Sequence, residues 1–152
     1  MSVATVKTHL ALLQEQIPGI LTAYHDAPAS IDGANAPLFV NFAGPATYDL
    51  VSLGEQYDLE KRQYNMRLYA IPAGQGGPGD AENLCEGFFP AVRDFFLARP
   101  SLGGLQNVIK SYLLNDTGIV NMLYNDRETS WYGIEFRLMV WEYIQVNYAQ
   151  NE

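Results

Sequence analysis

The chain has 152 residues, 48% of them apolar, and nine Lys and Arg against seventeen Asp and Glu give it a net charge of −8. A chain of this length is one domain that buries about two-thirds of its unfolded surface, so it needs no disulfide or metal to fold. The scattered basic residues, of which only Lys61-Arg62 are adjacent, argue against sequence-specific nucleic-acid binding, and no window reaches the roughly twenty apolar residues of a membrane helix.

The segment from Met1 to Leu13 carries Lys7 and His9 inside a helical pattern and lacks the basic start and small-residue cleavage site of a signal peptide, so the expected place of synthesis and use is the cytoplasm. Val3, Val6, Leu10, Leu13, Ile17, Leu21 and Tyr24 recur at steps of three and four, which predicts a helix over 3–24 that Pro18 kinks or restarts. The stretch HDAPASIDGANAP, 25–37, reads as a loop. Leu38, Val40 and Phe42 then alternate with Phe39 and Asn41 in a short strand that Gly44-Pro45 ends. A second strand is expected within 48–53, interrupted by Gly54. A longer one covers 57–71, with Tyr64, Met66, Leu68 and Ala70 on one face and Asn65, Arg67 and Tyr69 on a wetter one.

Residues 72–80 (PAGQGGPGD) form a flexible loop with Asp80 as N-cap and Glu82 in the first turn of a second helix. That helix turns Leu84, Cys85, Phe88, Val92, Phe95 and Phe96 inward, is divided by Pro90, and is terminated by Pro100 and Gly103-Gly104. Cys85, the single cysteine, reads as a small buried apolar residue rather than a reactive thiol. Three strands close the chain, at 105–114, 119–124 and 131–146, with turns at 115–118 and 125–130. No repeat, heptad or linker interrupts 1–152. The expected fold is a single α+β domain: a mostly antiparallel sheet with an N-terminal helix and one central helix packed on it.

Gly74-Gln75-Gly76-Gly77-Pro78-Gly79 fits G-x-G-x-x-G between a strand and a helix, the setting of a dinucleotide-binding turn. Against it, Pro78 and Gly77 suggest a loose loop, and Asp80, Glu82 and Glu86 stand where a pyrophosphate docks. Antiparallel hairpins, not a parallel strand, are expected after the helix. No Lys-Ser/Thr pair follows, so it is no P-loop. His9 and His25, with one cysteine, make a poor metal site and read as surface residues. The serines lack a nucleophile-elbow setting, and the carboxylates lack a polar cluster that would assign an acid or base. No catalytic residue, cofactor or metal is therefore expected.

The last strand is the informative one. Ile134, Phe136, Leu138 and Val140 suit a core, while Glu135, Arg137, Met139, Trp141 and Tyr143 share the other face, which begins charged and turns aromatic. Met and aromatics at the centre of a patch are what protein interfaces prefer; packing of the second helix onto this face is the competing expectation.

Taken in order, the opening helix before Pro37-Leu38-Phe39-Val40, the segment GFFPAVRDFF at 87–96, the Asp116-Thr117-Gly118 turn, and Tyr124 with Trp131-Tyr132-Gly133-Ile134-Glu135-Phe136-Arg137-Leu138 resemble the tail terminator (tail completion) proteins of tailed bacteriophages over nearly the whole chain. The resemblance implies a virion protein that forms a ring, a hexamer in that family, on the last ring of the tail tube. There it stops tube growth and presents a surface to the neck or head-completion protein. DNA would pass through the lumen without specific binding, and excess carboxylates suit such a channel. Ring closure needs two different complementary patches. The candidates are the face carrying Arg137, Met139, Trp141 and Tyr143, and strand edges or the loop near Gln75. Another neck or head-completion subunit, or a small nucleotide-binding enzyme using Gly74–Gly79, are the alternatives.

Overall fold

Helix α1 spans Val3–Gln14 in the computed structural model, which describes residues 2–50, 57–125 and 130–145. The Ser2 hydroxyl accepts from the Thr5 amide at 3.2 Å, occupying one of the donors that a helix start leaves open. Val6, Leu10 and Leu13 are buried as the periodicity predicts, but the helix ends at Gln14 instead of Tyr24. Pro18 has no amide for a further turn and disfavours helical geometry in the residue before it. The chain then turns at Gly19, where φ is +92°, and Thr22–Tyr24 forms strand β1, parallel to Leu38–Val40. Ile17 and Ile20 remain buried through this turn, whereas Leu21 is 62% exposed.

Strand β2, Leu38–Leu50, does not stop at Gly44-Pro45; the register shift between Ala43 and Ala46 absorbs the pair as a bulge against strand β3, Tyr57–Pro72. β1 pairs only with residues 38–40, so beyond them β2 is an edge, and the amide missing from Pro45 costs no ladder bond there. The strand expected within 48–53 is the far part of β2; residues 51–53 and Gly54 lie outside the described residues.

After β3, helices α2 (Pro78–Glu86) and α3 (Phe88–Leu97) join at Gly87 as one bent unit. Pro90 falls in the first turn of α3, where a missing amide is harmless, so the division lies ahead of it. Gly77, not Asp80, is the N-cap of α2; the Asp80 carboxylate accepts from the Gly77 amide at 3.4 Å. Ala81 and Cys85 face inward, and Leu84 faces out at 40% exposure. Left-handed residues at Leu102, Gly103, Gly104 and Asn107 delay the next strand, β4, to Val108–Asp116. Strands β5 (Val120–Leu123) and β6 (Ser130–Gln145) follow; Val146 and most of the turn before β6 lie outside the described residues.

β6 pairs antiparallel with β3 along its whole length, and its other edge is shared by β4 over residues 136–142 and β5 over 130–133. The sheet order is β1-β2-β3-β6-β4, with β5 beside β6. β4 therefore runs parallel to β3 with β6 laid between them. Of the antiparallel hairpins expected after the helix, β5–β6 forms, but β4 pairs with β6 instead of β5.

The three α-helices among the described residues lie on one side of the sheet. Val6, Leu10 and Ile17 and then Cys85, Phe88, Val92 and Phe96 pack onto Phe39, Tyr64, Met66, Leu68, Ile134, Phe136, Leu138 and Val140. The one amide pair buried in this layer is satisfied: Gln14 and Asn41 exchange hydrogen bonds of 2.7 and 2.8 Å, and Asn41 also donates to the Tyr24 carbonyl at 3.0 Å. The fold is α+β, mostly antiparallel, with an N-terminal helix and a central bent helix.

Candidate functional site

Because side chains alternate along a strand, the odd-numbered residues of β6, and of β3 as far as the register shift after Tyr69, point to the side without helices. One end of that face is covered by the loop of residues 25–37. Leu38, Val40, Tyr69, Tyr124 and Trp131 form a second core there, with Ile31, Ala36 and Phe42 against it. Tyr69 meets Tyr124 and Trp131 edge-on at 5.5 and 6.1 Å, a favoured aromatic geometry. The loop is fastened by the Tyr124 hydroxyl, which donates to the Pro28 carbonyl, and by the Asn125 amide, which donates to the Ala29 carbonyl at 2.9 Å.

Among the described residues the other end has no such cover. Cross-strand pairing places Thr47, Lys61, Trp141 and Lys110 in one row across β2, β3, β6 and β4, with Asp49 two residues along β2 from Thr47. The Lys61 and Lys110 ammonium groups each lie 4.1 Å from the Trp141 ring centroid, and Lys61 also contacts the Asp49 carboxylate at 2.9 Å. Tyr112 stands edge-on to the same indole at 6.3 Å. Gln63, Met139 and Tyr112 make the next row, followed by Asn65, Arg137 and Asn115. Met139 and Trp141 are half-buried and Tyr143 is 42% exposed. The competing expectation, that the second helix covers this face, is overturned, since α2 and α3 pack on the reverse side.

Arg137 belongs to the same face but is committed locally. Glu135, buried under the strand, accepts from Arg67 Nε at 2.8 Å and from Arg137 Nε at 2.9 Å. Burial lowers the affinity of Arg67 for its proton, and the hydrogen bonds and charges of Glu135 and Tyr69 together more than restore it. Gln75 is not brought to this face. It sits beyond the covered end, where it lines an open groove of about 470 Å³ with Asp32, Pro72, Tyr124 and Trp131. Sequence reasoning missed Lys61, Lys110 and Tyr112, which join Trp141 only because β3, β6 and β4 are neighbours. The sequence holds no local signal for them.

On the helix side beneath the open end, Glu60 and Glu142 are cross-strand partners, both buried. Glu60 accepts from Arg62 Nε at 2.5 Å. Glu142 Oε2 and the Tyr64 hydroxyl have no hydrogen-bond partner among the described residues. Burial first, and then the charge of Glu60, push the Glu142 carboxyl up to about 7, with Arg62 pulling the other way. Burial, then Glu142 and Glu60, hold the Tyr64 phenol protonated well above its usual range.

The glycine-rich segment forms a short turn at 73–75 and the start of α2. A Cβ at Gly74, Gly77 or Gly79 would meet nothing within 4 Å, so no close approach of the backbone demands glycine at those three. His9, expected at the surface, is half-buried and donates from Nε2 to the Leu102 carbonyl at 2.6 Å, while His25 is exposed beside Asp26. Among the described residues no three His, Cys, Asp or Glu side chains converge as a metal site, and no helix is long and apolar enough to cross a membrane. Cys85 is buried, and burial pushes its thiol up. No protein family matches this chain, and no curated protein matches its sequence.

Proposed function

We propose that the chain is a structural protein that works by self-association, and, more specifically, a tail terminator-like ring subunit. On this reading it sits at the head-proximal end of a bacteriophage tail tube, ends tube polymerisation, and joins the tail to the neck. The observation that carries the proposal is the open end of the helix-free face, where Met139, Trp141, Tyr112 and Tyr143 lie together on strands with no helix above them among the described residues. Interface cores favour Met and aromatic side chains in this way, and a hot spot needs a central aromatic rimmed by polar groups. The sequence resemblance to tail terminators supports the narrower part of the reading.

Sedimentation velocity over a wide concentration range, with negative-stain images of the protein mixed with tail tubes polymerised in vitro, tests it. Rings in solution, or density capping one end of each tube, are expected. A chain that stays monomeric and leaves both tube ends bare would overturn the proposal. Binding to isolated neck complexes but never to tubes would favour another neck or head-completion subunit.

A further inference from the structure

The open face has a counterpart on the opposite side of the same molecule. α2 carries Asp80, Glu82 and Glu86 and no cation, and all three are exposed along with Asn83 and Leu84. Asp80, Asn83 and Glu86, at i, i+3 and i+6, run as a stripe along the outward side, because Ala81 and Cys85 face in. In a helix rising 1.5 Å per residue, Asp80 and Glu86 stand about 9 Å apart. Lys61 on β3 and Lys110 on β4 flank Trp141 on β6, two strand spacings, which is about 10 Å. Sign and spacing both match.

Resting on the self-assembly reading above, we propose that the Lys61–Trp141–Lys110 row of one copy docks the Asp80–Asn83–Glu86 stripe of α2 in a second copy. The two ammonium groups then pair with the two carboxylates, and the indole and Tyr112 pack beneath Asn83 and Leu84. Since the two surfaces lie on opposite sides of the sheet, one pair of copies cannot satisfy both at once. The contact is head-to-tail and repeats until rotation closes it, so a two-fold dimer is excluded as the finished assembly. A polynucleotide is the rival occupant of a face with four cations, but a phosphate backbone needs a run of them and Arg67 and Arg137 are held by Glu135, whereas the stripe needs only Lys110 and Lys61, the latter shared between Asp49 and the docking carboxylate. Lys110 alone among those four lacks a carboxylate partner among the described residues.

Charge exchange tests the pairing. Lys61→Glu/Lys110→Glu and Asp80→Lys/Glu86→Lys should each weaken self-association by about 100-fold or more, since like charges then face each other. Mixing the two double variants, or combining all four substitutions in one chain, should restore it; circular dichroism confirms that each chain is folded. Wild-type association should also weaken as salt is raised. Unchanged association of the lysine variant, or no restoration in the fourfold variant, overturns the pairing while leaving a ring built on another surface open. A wild-type chain that is monomeric throughout overturns the pairing as a self-contact, and tube-end binding then decides the broader reading separately. Salt-sensitive binding of a single-stranded oligonucleotide that Lys61→Glu/Lys110→Glu abolishes, without self-association, would hand the face to nucleic acid.

Discussion

The two ends of the helix-free face are built by the same strands and have opposite fates. At the end near Leu38, Tyr69 and Trp131 the side chains are aliphatic or aromatic and the loop of residues 25–37 closes over them. At the end near Lys61, Met139 and Trp141 each apolar group is shielded by a neighbour with a polar tip. The lysine ammonium groups lie over the indole, and Arg137 leans on Glu135. Such a surface tolerates solvent in a lone subunit and still offers an aromatic centre to a partner. The comparison separates two uses of tryptophan in one sheet, a core residue at 131 and a surface anchor at 141.

The largest effect expected is at the covered end. Trp131→Ala should cost about 3–5 kcal/mol of stability, whereas Trp141→Ala, half-exposed, should cost about 1 kcal/mol and act mainly on self-association. Thermal melts of the two variants side by side check this, and equal losses would mean that the open end is core after all. Next comes Gly133, which lies between the two ends. A Cβ there would collide with the Leu68 carbonyl oxygen and come within 2.6 Å of Met122 Cε. Gly133→Ala should therefore lose about 1–3 kcal/mol by overpacking, read as a lower urea midpoint; an unchanged midpoint would show that β3 and β6 part easily there.

A third prediction concerns the carboxyl beneath the open end. Glu142 is held at about 7 against an ordinary 4.5. Between those values the folded chain keeps a proton that the unfolded chain has released, so its stability is full below the ordinary carboxylate range and falls as pH rises through 7. Denaturation midpoints from pH 5 to 8 should show this decline, and Glu142→Gln should flatten it; an unchanged slope in that variant would place the titrating group elsewhere. The smallest effect is at the loop fastening. Tyr124→Phe removes the hydroxyl bonded to Pro28 and should cost about 1 kcal/mol, with faster amide exchange confined to the loop of residues 25–37. Faster exchange across β3 and β6 as well would show that loop and sheet open as one unit.

Much of this architecture was legible in the residues. Alternation correctly assigned the two faces of β3 and β6, because one face is buried and a slip of one residue would reverse every side chain. The apolar spacing correctly placed the core of α1, and Met139, Trp141 and Tyr143 were correctly grouped on one side of β6. Periodicity failed past Gln14, where a non-helical chain keeps Ile17 buried but leaves Leu21 of the same series exposed, and Gly44-Pro45 misled because a bulge on an edge strand accommodates both residues. The loop near Gln75 was offered as a second patch distinct from the β6 face, and Gln75 lies apart from that face, beyond the covered end.

By itself the sequence determined the fold class, the strand faces and the aromatic character of one of them, since these depend on spacing along the chain. Only the tertiary structure decided that all helices take the same side, that the loop at 25–37 seals one end of the bare face and not the other, and that Lys61 and Lys110 flank Trp141. Those facts depend on which strands become neighbours. Pairings between residues as far apart as 61 and 141 are settled by burial and hydrogen bonding across the whole sheet, not by any local pattern.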